Sequence, residues 1–422
     1  MIGKRFHAAV LLILDGIGDH PNPTLGNRTP LQVARTPAMD DLARRGRNGL
    51  ARPGGGAGAP NTAAGTLSVL GYDPDRYPIG RGSMEARGAG LTMAPGDVAF
   101  RCNWASVSDD WRIVDCRAGR IDTGREELLE AIRTLRPDPD VAVDLALCTG
   151  HRLALVLRGP GLSDRVLGSD PRQVGSQEMR LTPRPISPQD PAARRTAQVI
   201  DRFERMAAER LRGHPVNEWR RRRGLPPANA LLSRGAGTNR PLPQVSACGK
   251  PLSGLEIGAD RTVAGLCLLA GMRVLSDASM TGTIDTDLDA KFALALKYSH
   301  DFDLIVLHIK GCDISAHDRR AVQKAQFIER IDVALGCFLD RAGEALRIGI
   351  ASDHGTSSIT GDHLAGPVPV LAAGPGIPAD GVTAFDEVSA TRGDLGMSEM
   401  TGFMATLFAC DPVPATAGAA AL

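Results

Sequence analysis

Three aspartates and three histidines stand where apolar runs of this chain stop. Asp353 and His354 close the run Ala-Leu-Arg-Ile-Gly-Ile-Ala-Ser at 345–352, and His363 follows shortly after. Asp15, with Gly16 behind it, closes a second apolar run at 8–14. A third run, Leu-Ile-Val-Leu-His-Ile at 304–309, leads through Lys310 into Asp313 and His317, which are four residues apart and share one face of a helical turn. The runs read as buried strands, and the carboxyl ends of strands are where open α/β sheets gather their chemistry. Mixed Asp and His ligands suit zinc, manganese, cobalt or iron, and two clusters of them suggest two divalent ions rather than one.

A hydroxyl completes the set. A glycine-rich stretch at 53–60 precedes Asn61-Thr62, where a helix is expected to begin with Asn61 or Thr62 as its cap. A hydroxyl there meets free backbone N–H groups and the positive end of the helix dipole, which favour both a phosphate and an alkoxide. Coordination to a metal would acidify it further, so Thr62 is the candidate phosphoryl acceptor. The plainer reading is a helix cap and nothing more.

These residues need a scaffold that brings distant strand ends together. At 422 residues the chain is long enough for a large core and for more than one domain. Residues 97–185 read as a small, strand-rich insert: strands near 104–108 and 111–115, a helix near 125–135, and a hairpin formed by 141–147 and 152–157. The helical stretch 192–223 is expected to return the chain to the main domain, where helices alternate with apolar strands such as 368–373. The expected division is therefore a core of 1–96 and 186–422 around an inserted substrate or cap domain, 97–185. The fold class is α/β, a largely parallel sheet flanked by helices, with a smaller inserted α+β domain.

The net charge of +1 supplies no field for nucleic acid or an anionic membrane. The four arginines 220–223 read as a solvated helix end. The apolar run at 8–14 is too short for a signal sequence or a membrane span, so a cytoplasmic protein is expected. The eight cysteines form no Cys-x-x-Cys pair and are expected to be reduced and mostly buried.

Seven blocks, in order, resemble the archaeal-type cofactor-independent phosphoglycerate mutases of the alkaline phosphatase superfamily. They are Leu-Asp-Gly-Ile-Gly-Asp at 14–19, Leu-Ser-Val-Leu-Gly-Tyr-Asp-Pro at 67–74, Asp-Cys-Arg-Ala-Gly-Arg at 115–120, Gly-Leu-Ser-Asp-Arg at 161–165 with Ser-Asp-Pro at 169–171, Arg-Gly-Ala-Gly at 234–237, His-Ile-Lys-Gly-Cys-Asp at 308–313 with Ala-His-Asp at 316–318, and Asp353-His354 with Asp362-His363. The resemblance implies an alkaline-phosphatase-like core holding two divalent metals, no organic cofactor, and a hydroxyl that takes a phosphoryl group and returns it. Carried over, Asp15, Thr62, Asp353 and His354 hold one metal, and Asp313, His317 and His363 the other. Arg120, Arg165, Arg234 and Lys310 fall in blocks that gather cations around the substrate's carboxylate and phosphate, anions that arginine forks suit.

The chain departs from that pattern at the nucleophile. The family places a serine, an acidic residue directly after it and a histidine four positions after the serine, where this chain has Thr62, Ala63 and Thr66. Threonine keeps the hydroxyl, but a carboxylate and an imidazole are gone from the acceptor helix. Three readings follow: interconversion of 3-phosphoglycerate and 2-phosphoglycerate; a diverged phosphoryl or phosphonyl transferase or hydrolase acting on a phosphonate or a nucleotide-activated acid; and a metal-binding pseudoenzyme. The expected partner is a small phosphorylated or phosphonylated acid, with no nucleic acid and no membrane.

Overall fold

The computed structural model describes residues 8–54, 60–171 and 178–410, so most of the glycine-rich stretch and the alanine-rich C-terminal tail lie outside the described residues. The chain divides into two compact units, residues 1–77, 242–259 and 270–422, and residues 78–241 with 260–269.

The first unit is built on an eight-stranded sheet. Its strands and the helices that matter to the site are β1 (Ala9–Leu14), β2 (Gly46–Arg52), α1 (Thr62–Val69), β3 (Gly254–Ile257), β4 (Arg273–Leu275), α2 (Leu288–Tyr298), β5 (Leu304–Ile309), α3 (Gly311–His317), α4 (Ala321–Ala342), β6 (Arg347–Ala351), β7 (Val368–Ala373) and β8 (Gly396–Glu399). Strand order is β4-β3-β5-β1-β6-β7-β2-β8, and only β7 runs against its neighbours. β1 is buried along its whole length, as a parallel strand covered on both faces must be. Helix α4 presents Phe327, Ile328, Ile331, Leu335 and Phe338 on one stripe, and these join Val10, Leu12, Leu14, Ile305 and Ile348 in the core. Because β1 lies between β5 and β6, all three parallel, residues following Leu14, Ile309 and Ala351 emerge side by side at one edge.

In the second unit the strands Ala230–Thr238, Val98–Val107, Arg152–Arg158 and Ala142–Leu147 form an antiparallel sheet in that order, with Ile113–Asp115 paired to the end of Val98–Val107. The hairpin and the helix Arg125–Arg133 agree with expectation. The expected boundaries at 97 and 185 are moved outward. The helix Pro191–Arg212 does not return the chain to the main domain: its stripe of Val199, Ile200, Phe203, Ala207 and Leu211 packs with Val98, Phe100, Leu153, Leu155 and Leu157 in one core. An amphipathic helix goes where its apolar face is covered, and the inserted sheet offers that face.

Cysteine pairing is a second correction. Cys248 and Cys410 form a disulfide, closing a separation of 162 residues within the first unit. Cys102, Cys148, Cys267 and Cys312 are buried thiols, as expected, whereas Cys337 is exposed. Among the described residues no helix is long and apolar enough to cross a membrane.

A buried carboxylate, Asp19, and a half-buried one, Glu387, brace the first unit. Lys324 of α4, fully buried, reaches Asp19 at 3.0 Å, and Glu387 accepts hydrogen bonds from the Asp19 amide at 3.2 Å and from Thr29 Oγ1 at 2.7 Å. Burial pushes the Glu387 carboxyl up to about 7, against the opposing pull of the Thr29 hydrogen bond. The folded state then holds a proton that the unfolded chain releases near its ordinary value of 4.5. Stability associated with Glu387 is therefore present below about 4.5 and lost as pH rises through about 7. Glu387→Gln is expected to flatten that part of the stability profile, measured by denaturant unfolding at pH 5 and pH 8; an unchanged slope would remove Glu387 as its source.

Candidate active site and metal centre

The edge shared by β5, β1 and β6 carries the candidate ligands. Asp15 follows β1 directly, Asp353 and His354 follow β6 by one residue, and Asp313 and His317 lie on α3, which starts right after β5. Six side chains form two triads. Asp15, Asp353 and His354 are one, Asp313, His317 and His363 the other, and within each triad the ligand-type atoms all lie within 4.8 Å of one another. His363 sits on a short strand, His363–Leu364, paired with Gly355–Thr356 just beyond His354, which returns it to the same place.

Imidazole orientation follows from acceptor-only partners. His317 Nδ1 lies 2.6 Å from the Gly361 carbonyl, His363 Nδ1 2.9 Å from the Pro60 carbonyl, and His354 Nδ1 3.3 Å from the Gly355 carbonyl. A carbonyl can only accept, so each Nδ1 carries a proton and each ring turns its Nε2 toward the carboxylates. His317 Nε2 is 3.2 Å and His363 Nε2 3.7 Å from Asp313 Oδ1, and His354 Nε2 is 3.3 Å from Asp353 Oδ2. The rings of His354 and His363 stack with centroids 3.7 Å apart.

Three carboxylates in so small a buried volume raise a charge problem. Burial, together with the nearby Asp15, pushes the Asp353 carboxyl well above the usual range. Asp15 and Asp313 are likewise penalised by burial, but the Lys310 ammonium and the neighbouring histidines together outweigh it and hold both low. Burial, with His354 alongside, lowers the His363 imidazole to about 4, and burial lowers His354. The hydrogen bond to Asp313 raises His317. Asp15 Oδ1 and Asp353 Oδ2 are buried without a hydrogen-bond partner among the described residues. Burying such oxygens costs free energy that a cation would offset, so this donor set fits divalent metal ions.

Thr62, the candidate phosphoryl acceptor, lies beside the buried triad. Asn61, not Thr62, caps α1: its side chain accepts from the amides of Ala63 and Ala64. The Thr62 hydroxyl is thus released from capping, and its Oγ1 sits 3.4 Å from His354 Nε2 in a buried position. Gly65 allows this approach, since a Cβ there would overlap the Asp353 carbonyl.

The expected substrate cations fall in different units. Lys310 stands at the triads, 2.6 Å from Asp15 Oδ2 and 2.9 Å from Asp313 Oδ2. Arg120, Arg165 and Arg234 belong to the second unit; Arg120 and Arg165 are exposed, and Arg234 pairs with Asp170 at 3.4 Å. Sequence reasoning missed the group around Arg234, in which Arg81, Arg101, Arg152 and His151 lie close enough to influence one another's charge, with Glu85 paired to Arg101 at 3.2 Å. It also missed His308, whose Nε2 lies 3.2 Å from Asp15 Oδ2. The available signal was a polar residue inside an apolar strand: Arg101 in Val98–Val107 and His308 in β5.

The chain is 40% identical over 394 residues to the 2,3-bisphosphoglycerate-independent phosphoglycerate mutase 1 of Methanothermobacter thermautotrophicus, covering 92% of this chain and 93% of that one. The chain belongs to the 2,3-bisphosphoglycerate-independent phosphoglycerate mutase family. The mutase family model matches residues 43–217. A mutase of Methanoculleus marisnigri is also 40% identical, with 92% of this chain and 93% of that one covered. Among solved structures, the cofactor-independent phosphoglycerate mutase of Thermoplasma acidophilum superposes with a TM-score of 0.64 at 33% identity, covering 96% of this chain and 99% of that one. A Pyrococcus horikoshii protein superposes with a TM-score of 0.79 at 30% identity, covering 97% of this chain and all of that one.

Proposed function

We propose that this mutase-family chain interconverts 3-phosphoglycerate and 2-phosphoglycerate through a phosphoryl group held on Thr62. The observation that carries the reading is the uncapped Thr62 hydroxyl, buried 3.4 Å from His354 Nε2 beside the two triads. In this reading Asp15, Asp353, His354 and Thr62 hold one divalent ion, and Asp313, His317 and His363 hold a second. When bound, such ions acidify a hydroxyl and neutralise charge on a phosphoryl group in transfer.

The side chains do the rest. Thr62 Oγ1 gives up its proton and bonds to phosphorus as the bond from phosphorus to the substrate's 3-oxygen breaks, and that oxygen takes up a proton. The 2-hydroxyl of the glycerate then loses its proton and bonds to phosphorus, and the released threonine oxygen takes up a proton to restore the hydroxyl. Lys310 contributes positive charge at the triads, and Arg120, Arg165 and Arg234 are the proposed partners of the substrate's carboxylate and phosphate. With each Nδ1 facing a backbone carbonyl, the three imidazoles present Nε2, the atom through which the neutral ring would bind a metal.

Purified, metal-loaded protein given 3-phosphoglycerate is expected to form 2-phosphoglycerate at on the order of 10 per second, followed by phosphorus NMR. Release of inorganic phosphate alone, or no change, would overturn the mutase reading. A second reading, a diverged transferase or hydrolase for a related phosphorylated or phosphonylated acid, is favoured by α1 itself. There Ala63 replaces an acid, and Thr66 Oγ1 is buried without a hydrogen-bond partner among the described residues.

A further inference from the structure

We propose that Thr356 is a positioning residue that orients one ligand of each triad, Asp313 and His354, through a single hydroxyl. The inference rests on the two-metal reading above. Thr356 is fully buried, and its Oγ1 lies 2.8 Å from Asp313 Oδ1 and 3.2 Å from His354 Nδ1. An ionised carboxylate only accepts, so the hydroxyl proton goes to Asp313. His354 Nδ1 carries a proton because it also faces the Gly355 carbonyl at 3.3 Å, and it therefore donates to the hydroxyl oxygen. One oxygen thus gives to one triad and receives from the other. Both directions favour ligation: the Asp313 carboxylate is turned toward His317 and His363, and His354 is kept in the form whose Nε2 lone pair faces Asp15, Asp353 and Thr62.

The hydroxyl is itself held from two sides. The Thr356 carbonyl accepts from Lys324 Nζ at 2.9 Å, and the same ammonium reaches the Gly18 carbonyl at 3.2 Å and Asp19 at 3.0 Å. This fastens the Gly355–Thr356 strand to the Gly16–Gly18 strand beside it. Gly16 has φ of +69°, and a Cβ there would come within 2.6 Å of Thr356 Oγ1 and 2.8 Å of the Asp313 backbone. The backbone leaves room for this hydroxyl and little else.

Thr356→Val keeps the shape and removes the hydroxyl; Thr356→Ser keeps the hydroxyl and removes a methyl. Chelator-stripped protein is titrated with Mn²⁺ by calorimetry, and melting temperatures of the stripped proteins are compared. Two binding events are expected for the unaltered chain, both weakened about 10- to 100-fold by Thr356→Val at little cost in melting temperature, and both restored to within about threefold by Thr356→Ser. Unchanged affinities in Thr356→Val, weakening of one event alone, or a serine variant as weak as the valine variant would each overturn the shared role. Should the valine variant fail to fold, Thr356→Ala carries the same expectations. Absence of Mn²⁺ binding to the unaltered chain would instead bring down the two-metal reading on which the role depends.

Discussion

Thr62→Ala is expected to lower turnover of 3-phosphoglycerate at least about 10³-fold, because removing a nucleophile abolishes the covalent route and leaves only binding and charge stabilisation. Thr62→Ser is expected to retain measurable activity, since it keeps the oxygen that lies 3.4 Å from His354 Nε2. Neither change disturbs the cap of α1, which Asn61 provides. An enolase-coupled assay reads turnover. Mass spectrometry of acid-quenched protein reads the phosphoryl group, expected on the unaltered and serine chains and absent from the alanine chain. Alanine-variant activity near that of the parent chain would eliminate the covalent mechanism.

The second large effect concerns the ligands. His354→Ala removes one proposed ligand from the fully buried triad and the ring stacked on His363, and is expected to reduce turnover by about 10³-fold or more while the chain remains folded. Metal analysis should show loss of at least one ion per chain. Chelation of the unaltered protein should do the same reversibly and lower its melting temperature. The physical reason is the crowding of Asp15, Asp313 and Asp353, whose mutual repulsion a bound cation relieves; the stabilisation should grow with metal concentration as linkage requires. A stripped protein that melts at the loaded protein's temperature and turns over at its rate would contradict the assignment.

Local signals in the chain were sufficient for the parts of the site that end a strand or begin a helix. Apolar runs buried on both faces are distinctive, so β1, β5 and β6 could be read directly, and with them Asp15, Asp313, Asp353 and His354 at their carboxyl ends. The spacing of Asp313 and His317 foretold the turn of α3, and the stretch after Asn61 foretold α1. Seven ordered blocks were enough to recognise the mutase family, because the order of motifs along a chain survives divergence that blurs each one.

Contacts between residues far apart in the chain were decided only by the fold. That β1 lies between β5 and β6 is a matter of strand pairing, and it sets which strand ends meet. The division into units turned on where the apolar stripe of Pro191–Arg212 finds cover, which periodicity reveals as a stripe but not as a destination. Cys248 and Cys410 were indistinguishable from the other cysteines until folding brought them together. Lys310 carried a family resemblance to a substrate-binding residue, but its position between Asp15 and Asp313, like the hydroxyl of Thr356 between the two triads, exists only once three separate stretches of chain share one buried volume. The reason is one of range: helix and strand patterns are written over a few residues, whereas charge balance and ligand geometry depend on groups hundreds of residues apart.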